Sequence, residues 1–276
     1  MNLLALDELL YRALNEDLGQ GDATSESIFS ADHTSHGFLL AKQDFVLAGR
    51  GVFARVFGLL DARVDVTFFR NDGEAINQGE RFACIEGPTL AILSGERIAL
   101  NFLQHLSGIA TETQSYVKAC GNSGAMVVDT RKTTPGLRML EKYAVTVGGG
   151  KNHRFGLNSM ILIKDNHIRA AGGIEPAVRL VRAKSSPFLK IEVEAEELSQ
   201  VREALAAGVE VIMLDNMTTE MIAEAVRVIS GQALVEVSGN VTCEQIETLA
   251  GLGVDIISSG ALTHSVKAVD ISLKLE

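Results

Sequence analysis

The runs Val211-Ile212-Met213-Leu214-Asp215, Leu234-Val235-Glu236-Val237-Ser238 and Asp255-Ile256-Ile257-Ser258 predict the architecture of the second half of the chain. Each run is short and mostly apolar, and each ends in a polar residue. The stretches between them, near residues 218–230 and 242–251, have helical spacing. Alternating buried-type strands and helices predict a parallel sheet with right-handed crossovers. The strand ends recur at intervals of just over twenty residues, a rhythm typical of an α/β barrel.

The same alternation extends upstream to three further apolar runs, at residues 125–128, 160–163 and 191–193, so six strands are predicted in all. A doubly wound open sheet is the alternative arrangement of these elements. Residues 1–87 mix helical stretches with short strands and predict a small antiparallel sheet, and the polar stretch at residues 22–36 predicts a surface loop that leads into a strand. A long helix follows at residues 90–119, in which Gly108 could introduce a break.

The composition is that of a globular protein, with 276 residues, 46% hydrophobic and 22% charged. The net charge of −10 argues against a general nucleic-acid surface. Cys84, Cys120 and Cys243 match no metal or redox spacing and are expected to be reduced thiols. The N-terminal residues lack the basic start of a signal peptide, and no stretch is apolar enough to cross a membrane. We therefore expect a soluble, cytoplasmic protein.

A cationic segment at residues 131–169 stands out in this acidic chain. It contains eight lysines and arginines but only Glu141 and Asp165 as acids, so its formal charge is +6. Such a local reversal of charge predicts an anionic ligand, and the mixture of glycines with paired basic residues suits a small, multiply charged one.

Polar residues follow every predicted strand, and parallel strands of a barrel present their carboxyl ends to one rim. Arg131 and Arg154 can each bind a carboxylate or phosphate through two parallel hydrogen bonds. Lys132 and Lys164 offer point charges for phosphate or for a departing anion. The predicted rim comprises Asp129, Thr130, Arg131, Lys132, Lys164, Glu194, Asp215, Ser238, Gly239, Ser259 and Gly260.

Two acids end successive strands of this rim, Glu194 and Asp215, so their carboxylates should approach each other. A pair of this kind can hold Mg²⁺ or sugar hydroxyls, and general acid–base catalysis is an alternative use. Glu192 points the same way as Glu194 on an ideal strand. For Glu192 we expect a structural role, paired with a lysine in the core.

The pairs Ser238-Gly239 and Ser259-Gly260 stand just ahead of predicted helices, where backbone N–H groups can bind phosphate. Gly148-Gly149-Gly150 matches neither a dinucleotide-binding nor a Walker motif. The triple glycine could let the backbone approach a ligand or form a mobile loop.

The histidines divide into one candidate for ligand binding and two for structural roles. His153 stands beside Arg154 in the cationic segment and is expected to contact the ligand. His105 and His167 are expected to pack. No Cys/His spacing typical of zinc occurs in the sequence.

Taken together, these motifs closely resemble the quinolinate phosphoribosyltransferase family, within the type II phosphoribosyltransferases. The likeness covers essentially the whole chain. It is carried by residues 96–111, 129–138, 141–145, 148–154, 163–167, 192–194, 214–216, 236–240 and 260–263. Two positions depart from the family pattern or vary in it: Asn240 stands where some relatives have a second glycine, and Lys151 receives no role.

The resemblance implies a reaction of quinolinate with 5-phosphoribosyl 1-pyrophosphate that gives nicotinate mononucleotide, pyrophosphate and CO₂, with Mg²⁺ as cofactor. It also implies an N-terminal α/β sandwich domain at residues 1–108, an open, seven-stranded α/β barrel at 109–266, and a C-terminal segment, 267–276, that packs on the first domain. Because the strand pattern shows only six strands, the seventh is expected within residues 142–159.

The site residues follow from the same resemblance. Arg97 would complete the site of a neighbouring subunit in a homodimer or larger homo-oligomer. Arg131, His153 and Arg154 would bind the two quinolinate carboxylates, beside Lys132 and Lys164. Glu194 and Asp215 would hold the ribose hydroxyls and Mg²⁺, directly or indirectly, and Ser238, Gly239 and Gly260 would contact phosphate.

Three other functions are weighed against this one. A related pyrophosphorylase-like protein associated with molybdenum transport is less favoured, because Arg131-Lys132 and His153-Arg154 are intact. A Schiff-base aldolase would use Lys164, which would then need an apolar pocket. A metabolite sensor would keep the pocket without turnover, but it would not need Glu194, Asp215 and the lysines.

Overall fold

The computed structural model describes residues 2–239 and 241–276, so Asn240 lies outside the described residues. The chain divides into two compact units. Unit 1 comprises Met1–Gln114, Thr134–Gly149 and Ser265–Glu276, and unit 2 comprises Ser115–Thr133 and Gly150–His264. The domain boundaries inferred from the resemblance stay predictions.

The helices are numbered α1 to α11 in chain order: Leu3–Leu18, Ala23–Ile28, Arg50–Leu60, Thr89–Ala119, Arg138–Val147, Asp165–Ala171, Ile174–Lys184, Leu198–Ala206, Thr219–Ile229, Cys243–Gly251 and Ala261–His264. Within the residues described, none of these helices combines the length and the apolar character needed to cross a bilayer. The helix α2 lies in a stretch, residues 22–36, whose polarity suggested only a loop. Asp22 caps it by accepting hydrogen bonds from the backbone N–H groups of Thr24 and Ser25.

The strands are numbered β1 to β12 in chain order: Thr34–Ala41, Phe45–Val46, Asp65–Phe68, Ala75–Ile76, Arg81–Pro88, Met126–Val128, Ile161–Ile163, Ile191–Ala195, Val211–Asp215, Leu234–Ser238, Ile256–Ser258 and Ile271–Leu275. All six strands predicted between residues 125 and 258 are therefore present. The last strand of the chain, β12, was missed.

Unit 1 contains the predicted small antiparallel sheet. Its four strands lie in the order β12-β1-β5-β3, and every pairing is antiparallel. Phenylalanines from α3 and β3 form part of the core, with ring centroids of Phe53 and Phe57 5.1 Å apart and those of Phe53 and Phe68 5.7 Å apart. The strand β12 brings the C-terminal residues onto β1 in the same sheet.

The long helix α4 is continuous through Gly108, so the break considered at this glycine does not occur. Glycine is needed there for space. A Cβ at position 108 would lie 2.3 Å from the backbone oxygen of Lys267, far inside any tolerated contact. Glycine lowers the helix propensity of α4 at this position, but it allows the C-terminal segment to pack close to the helix.

Unit 2 contains the parallel sheet, with the strand order β6-β11-β10-β9-β8-β7. Strands β7 to β11 are neighbours in chain order, and β6 joins the far side by pairing with β11. A doubly wound sheet would reverse direction near its middle, so that alternative is wrong. The sheet instead closes like a barrel, with β6 and β7 on either side of an opening.

The seventh strand expected within residues 142–159 is reduced to a single parallel bridge. Lys151 pairs with Val128 at the free edge of β6. Its backbone N–H donates to Val127 O at 2.8 Å, and Asp129 N–H donates to Lys151 O at 3.3 Å. Among the described residues of unit 2, the parallel sheet therefore has six strands and one bridged residue, which fits an open barrel.

The close approach at Gly108 leads to a prediction on stability. Gly108→Ala should lower the free energy of unfolding by about 2–4 kcal/mol, because the new methyl group meets backbone that cannot move aside. Gly58→Ala in α3 is the matched control, since no atom lies within 4 Å of its added Cβ. It should raise the free energy of unfolding by about 0.5–1 kcal/mol. Urea unfolding measures both, and a gain for Gly108→Ala would contradict this account.

Candidate active site

The carboxyl ends of the unit 2 strands enclose a cavity of about 440 Å³. This is the rim that parallel strands were expected to form. Nine of the predicted site residues line it: Arg131, Lys132, His153, Arg154, Lys164, Asp215, Ser238, Gly239 and Gly260. The lining also contains Thr130, another residue of the predicted rim, and Leu162, Met213, Asn216, Glu236 and Ser258.

Three predicted residues have other positions. Glu194 does not line the cavity but contacts Lys164, which does. Ser259 is buried, and its backbone N–H donates to Val128 O at 3.1 Å, so it helps to join β11 to β6. Arg97 is an exposed residue of α4 in unit 1.

Four cationic side chains share the cavity, namely Arg131, Lys132, Arg154 and Lys164. Burial lowers the pKa of Arg154, and the nearby charge of Arg131 lowers it further. Both arginines line the same cavity, as expected where an anion is to be bound. The Nη1 atom of Arg154 also donates to Met160 O at 3.2 Å, which limits its orientation.

Lys132 is held from two sides at the end of β6. Its backbone N–H donates to Thr130 Oγ1 at 3.0 Å, and its carbonyl oxygen accepts from Thr263 Oγ1 at 2.8 Å. A Cβ at Gly260 would lie 2.8 Å from Lys132 Cδ and 3.0 Å from the ring of His264. Glycine at position 260 therefore leaves room for the lysine stem and for His264, a neighbour of the site that the sequence analysis missed.

Three carboxylates gather where β8 and β9 end. Oxygen atoms of Glu194, Glu196 and Asp215 lie within 4.8 Å of one another. Lys164 Nζ donates to Glu194 Oε2 at 2.5 Å, so the cationic and anionic halves of the site meet at this pair. Lys164 thus has a charged partner, whereas a Schiff-base lysine needs an apolar pocket. Glu196, exposed two residues after Glu194, was not predicted.

A buried cluster lies at one wall of the cavity. His153 Nε2 is 3.2 Å from Glu192 Oε2 and 3.4 Å from Glu236 Oε2, and both carboxylates are at most 1% exposed. The lysine partner expected for Glu192 is therefore wrong, because its charged contact is a histidine. Glu236 was also missed. Its position two residues before Ser238 puts both on the same face of β10, a signal that could have identified it.

The backbone and both ring nitrogens of His153 contact the protein. Its N–H donates to Asp129 Oδ1 at 2.9 Å, and Nδ1 accepts from the backbone N–H of Arg154 at 2.8 Å. This arrangement differs from a histidine whose ring is free to meet a ligand. The structure therefore indicates that His153 fixes the backbone from which Arg154 projects.

Two effects on the His153 ring compete. Burial lowers its pKa, the contacts with Glu192 and Glu236 raise it, and the net result is a pKa of about 9. The hydrogen bond that Nδ1 accepts exists only in the neutral ring, but the two buried carboxylates beside Nε2 outweigh it, so protonation of the ring replaces this contact with Arg154 N–H. Burial raises the pKa of Glu192, opposed by the same histidine.

The histidines with expected structural roles do not line the cavity. His167 Nδ1 accepts from Lys164 N–H at 3.0 Å and closes the first turn of α6. His105 Nε2 lies 2.9 Å from Glu141 Oε1 in unit 1. Gly148, first of the three consecutive glycines, serves helix packing, since a Cβ there would lie 2.5 Å from Ala110 O.

Comparisons with known proteins cover both parts of the chain. The family model "Quinolinate phosphoribosyl transferase, N-terminal domain" matches residues 22–107, and the model of the C-terminal domain matches residues 109–274. A probable nicotinate-nucleotide pyrophosphorylase (carboxylating) of Bacillus subtilis is 45% identical, over 99% of this chain and 94% of its own length.

Solved structures are similar over the full length. NadC from Streptococcus pyogenes has 46% identity and a TM-score of 0.97, with 100% of this chain and 98% of that chain covered. The nicotinate-nucleotide pyrophosphorylase from Francisella tularensis has 38% identity and a TM-score of 0.95, with the same two coverages.

The buried cluster predicts a specific dependence of stability on pH. Because the pKa of His153 is higher in the folded chain than in the unfolded chain, its contribution is complete below pH 6.5 and is lost as the pH rises through about 9. The loss should be on the order of 3 kcal/mol. Urea unfolding of the wild-type protein and of His153→Gln across pH 6–10 isolates it. If the two curves of unfolding free energy run parallel, the ring is not held protonated.

Proposed function

Since the chain belongs to the quinolinate phosphoribosyltransferase family, we propose that the cavity of unit 2 is where quinolinate receives its phosphoribosyl group. The chain is a pentosyltransferase of the nicotinate-nucleotide pyrophosphorylase (carboxylating) type, and it serves NAD biosynthesis. Its substrates are quinolinate and 5-phosphoribosyl 1-pyrophosphate, and its products are nicotinate mononucleotide, pyrophosphate and CO₂. The assignments of residues that follow are our proposal.

The observation that carries the assignment is the set of four cations on one cavity, with carboxylates at its edge. Quinolinate has two adjacent carboxylates, and the neighbouring guanidinium groups of Arg131 and Arg154 offer it directional hydrogen bonds. Lys132 and Lys164 add charge without fixed direction. His153 lines the same cavity, and the hydrogen bond of its backbone N–H with Asp129 supports a role in holding the adjacent Arg154 in place.

The sugar phosphate fits the opposite side. Ser238, Gly239 and Gly260 line the cavity as small residues at the ends of β10 and β11. Small residues allow phosphate oxygens to approach backbone N–H groups. Asp215, with Glu194 nearby, offers acceptors for the ribose hydroxyls.

The donor set of Glu194, Glu196 and Asp215 fits Mg²⁺. All three are carboxylates, the hard oxygen ligands that this ion prefers, and their oxygens lie within 4.8 Å of one another. The same ion is commonly held by one or two carboxylates together with substrate phosphates. Bound there, Mg²⁺ would neutralise negative charge on the pyrophosphate.

Catalysis of this reaction depends mainly on how the protein positions the two substrates and on the charges of its side chains. The ring nitrogen of quinolinate attacks the anomeric carbon, and pyrophosphate departs with the electron pair of the broken C–O bond. Lys132 and Lys164 stabilise the departing charge, while Glu194 and Asp215 stabilise positive character at the sugar. The pyridinium ring then holds the electron pair left when the C2–carboxylate bond breaks, and a proton replaces CO₂.

Arg97 is assigned to a neighbouring copy of the chain. It is an exposed arginine on α4, and an exposed guanidinium group is free to complete an anion site on another subunit. This assignment implies a homodimer or a larger homo-oligomer with closed symmetry.

The function is tested by turnover of the purified protein. With Mg²⁺ and both substrates, pyrophosphate and CO₂ should be released in equal amounts, and EDTA should stop the reaction. Tight binding of quinolinate without any turnover would favour the sensor instead.

Within the same assay, Lys132→Ala should lower kcat/KM by about a hundredfold or more, because the variant removes a charge at the departing group. Lys151→Ala is the matched control in the same cationic segment. Lys151 is exposed and outside the cavity lining, so activity should stay at the wild-type value. Equal losses would show that only the overall charge of the segment matters.

The shared site predicts complementation between variants. Arg97→Ala and Arg131→Ala should each be inactive alone. Equal amounts, mixed and reassembled, should regain about a quarter of wild-type activity, since half of the dimers are mixed and each has one intact site. Activity assays and native mass spectrometry measure recovery and exchange of subunits. No recovery in demonstrably mixed dimers would contradict the shared site.

A further inference from the structure

Asn216, directly after β9, has an unusual backbone conformation. Its φ is +53°, and among the described residues only Ser230, with φ +45°, shares a positive φ without being glycine. Asparagine tolerates this left-handed region better than most residues, but glycine tolerates it better still. The backbone alone therefore does not explain why position 216 has a side chain.

The side chain of Asn216 contacts two parts of the site. Its Nδ2 donates to Asp215 Oδ2 at 2.9 Å. On the other side, a Cβ at Gly239 would lie 2.8 Å from Asn216 Oδ1, so the carboxamide packs closely on this glycine. The backbone N–H of Asn216 also donates to Ser238 O at 3.2 Å.

These contacts join two regions with different tasks. Asp215 is assigned to the ribose, and Ser238-Gly239 to the phosphate. Both belong to one substrate, 5-phosphoribosyl 1-pyrophosphate. The carboxamide donates to the carboxylate on one side and presents an uncharged oxygen to Gly239 on the other.

We propose that Asn216 is a positioning residue that orients the Asp215 carboxylate and holds it in register with the phosphate-binding turn at Ser238-Gly239. The proposal rests on the assignment of this cavity to the reaction described above. Asn216 acts through Asp215, and its contribution concerns the sugar-phosphate substrate. Quinolinate, assigned to the arginine side of the cavity, should be little affected.

The decisive variant is Asn216→Gly, which keeps the backbone conformation and removes the carboxamide. The ratio kcat/KM for 5-phosphoribosyl 1-pyrophosphate should fall by about tenfold, the usual effect of losing one hydrogen bond to a charged group. The KM for quinolinate and the melting temperature should stay at their wild-type values, because the positive φ suits glycine.

Asn216→Asp separates orientation from size. Aspartate has nearly the same shape and also tolerates the left-handed region, but it replaces the donor with a second carboxylate beside Asp215. Its loss in kcat/KM should exceed that of Asn216→Gly. A role in filling space alone would give the opposite order.

Ser230→Gly is the matched control. Ser230 is the other non-glycine residue with positive φ, it lies in the same unit at the end of α9, and it does not line the cavity. This variant should keep full activity and should not lose stability.

The outcomes separate the two levels of the proposal. If the wild-type protein shows no turnover, the assignment of the cavity fails. If the wild-type protein is active and Asn216→Gly matches it, or loses activity only with a lowered melting temperature, the positioning role is overturned. An equal rise in the KM of both substrates would likewise overturn it.

Discussion

The site depends on one geometric constraint, the parallel direction of the six strands in unit 2. Because every strand runs the same way, its carboxyl end arrives at the same rim. Lys164 directly follows β7 and Asp215 is the last residue of β9, so residues about fifty positions apart in the chain line one cavity. At the β6 edge of the opening Lys151 pairs with Val128, and the loop after it supplies His153 and Arg154.

The rim carries cationic side chains, and a buried cluster of a histidine and two carboxylates lies beside them. Arg131 and Arg154 face the cavity, where an anion can neutralise their mutual repulsion. The buried carboxylates of Glu192 and Glu236 lie within 3.4 Å of His153 Nε2 and raise the pKa of its ring, and Glu236 also lines the cavity. Buried charges are tolerated only with partners, so the protonated histidine stabilises the two acids while its backbone neighbour presents Arg154. Binding and folding therefore share the same electrostatic elements.

Much of the architecture was predictable because the hydrophobic periodicity and the turn residues of neighbouring positions indicate it. The six apolar runs, their polar ends and the antiparallel sheet of the first unit were all identified from periodicity and turn residues. The errors have physical causes. The polar stretch at residues 22–36 contains a helix that Asp22 caps, and Gly108 leaves α4 intact because its missing Cβ makes room for Lys267. No local pattern predicted β12, because its partner strand β1 is more than two hundred residues away along the chain.

By itself, the sequence determined most of the element types, the cationic segment and ten of the residues that line the cavity, because periodicity, charge and motif spacing are properties of neighbouring residues. The tertiary structure alone decided that Glu192 meets His153 and not a lysine, that Glu236 and Asn216 belong to the site, and that Ser259 is buried. These contacts join side chains from separate strands and loops. The packing of the strands and loops determines which side chains meet, and the spacing of residues along the chain does not show these contacts.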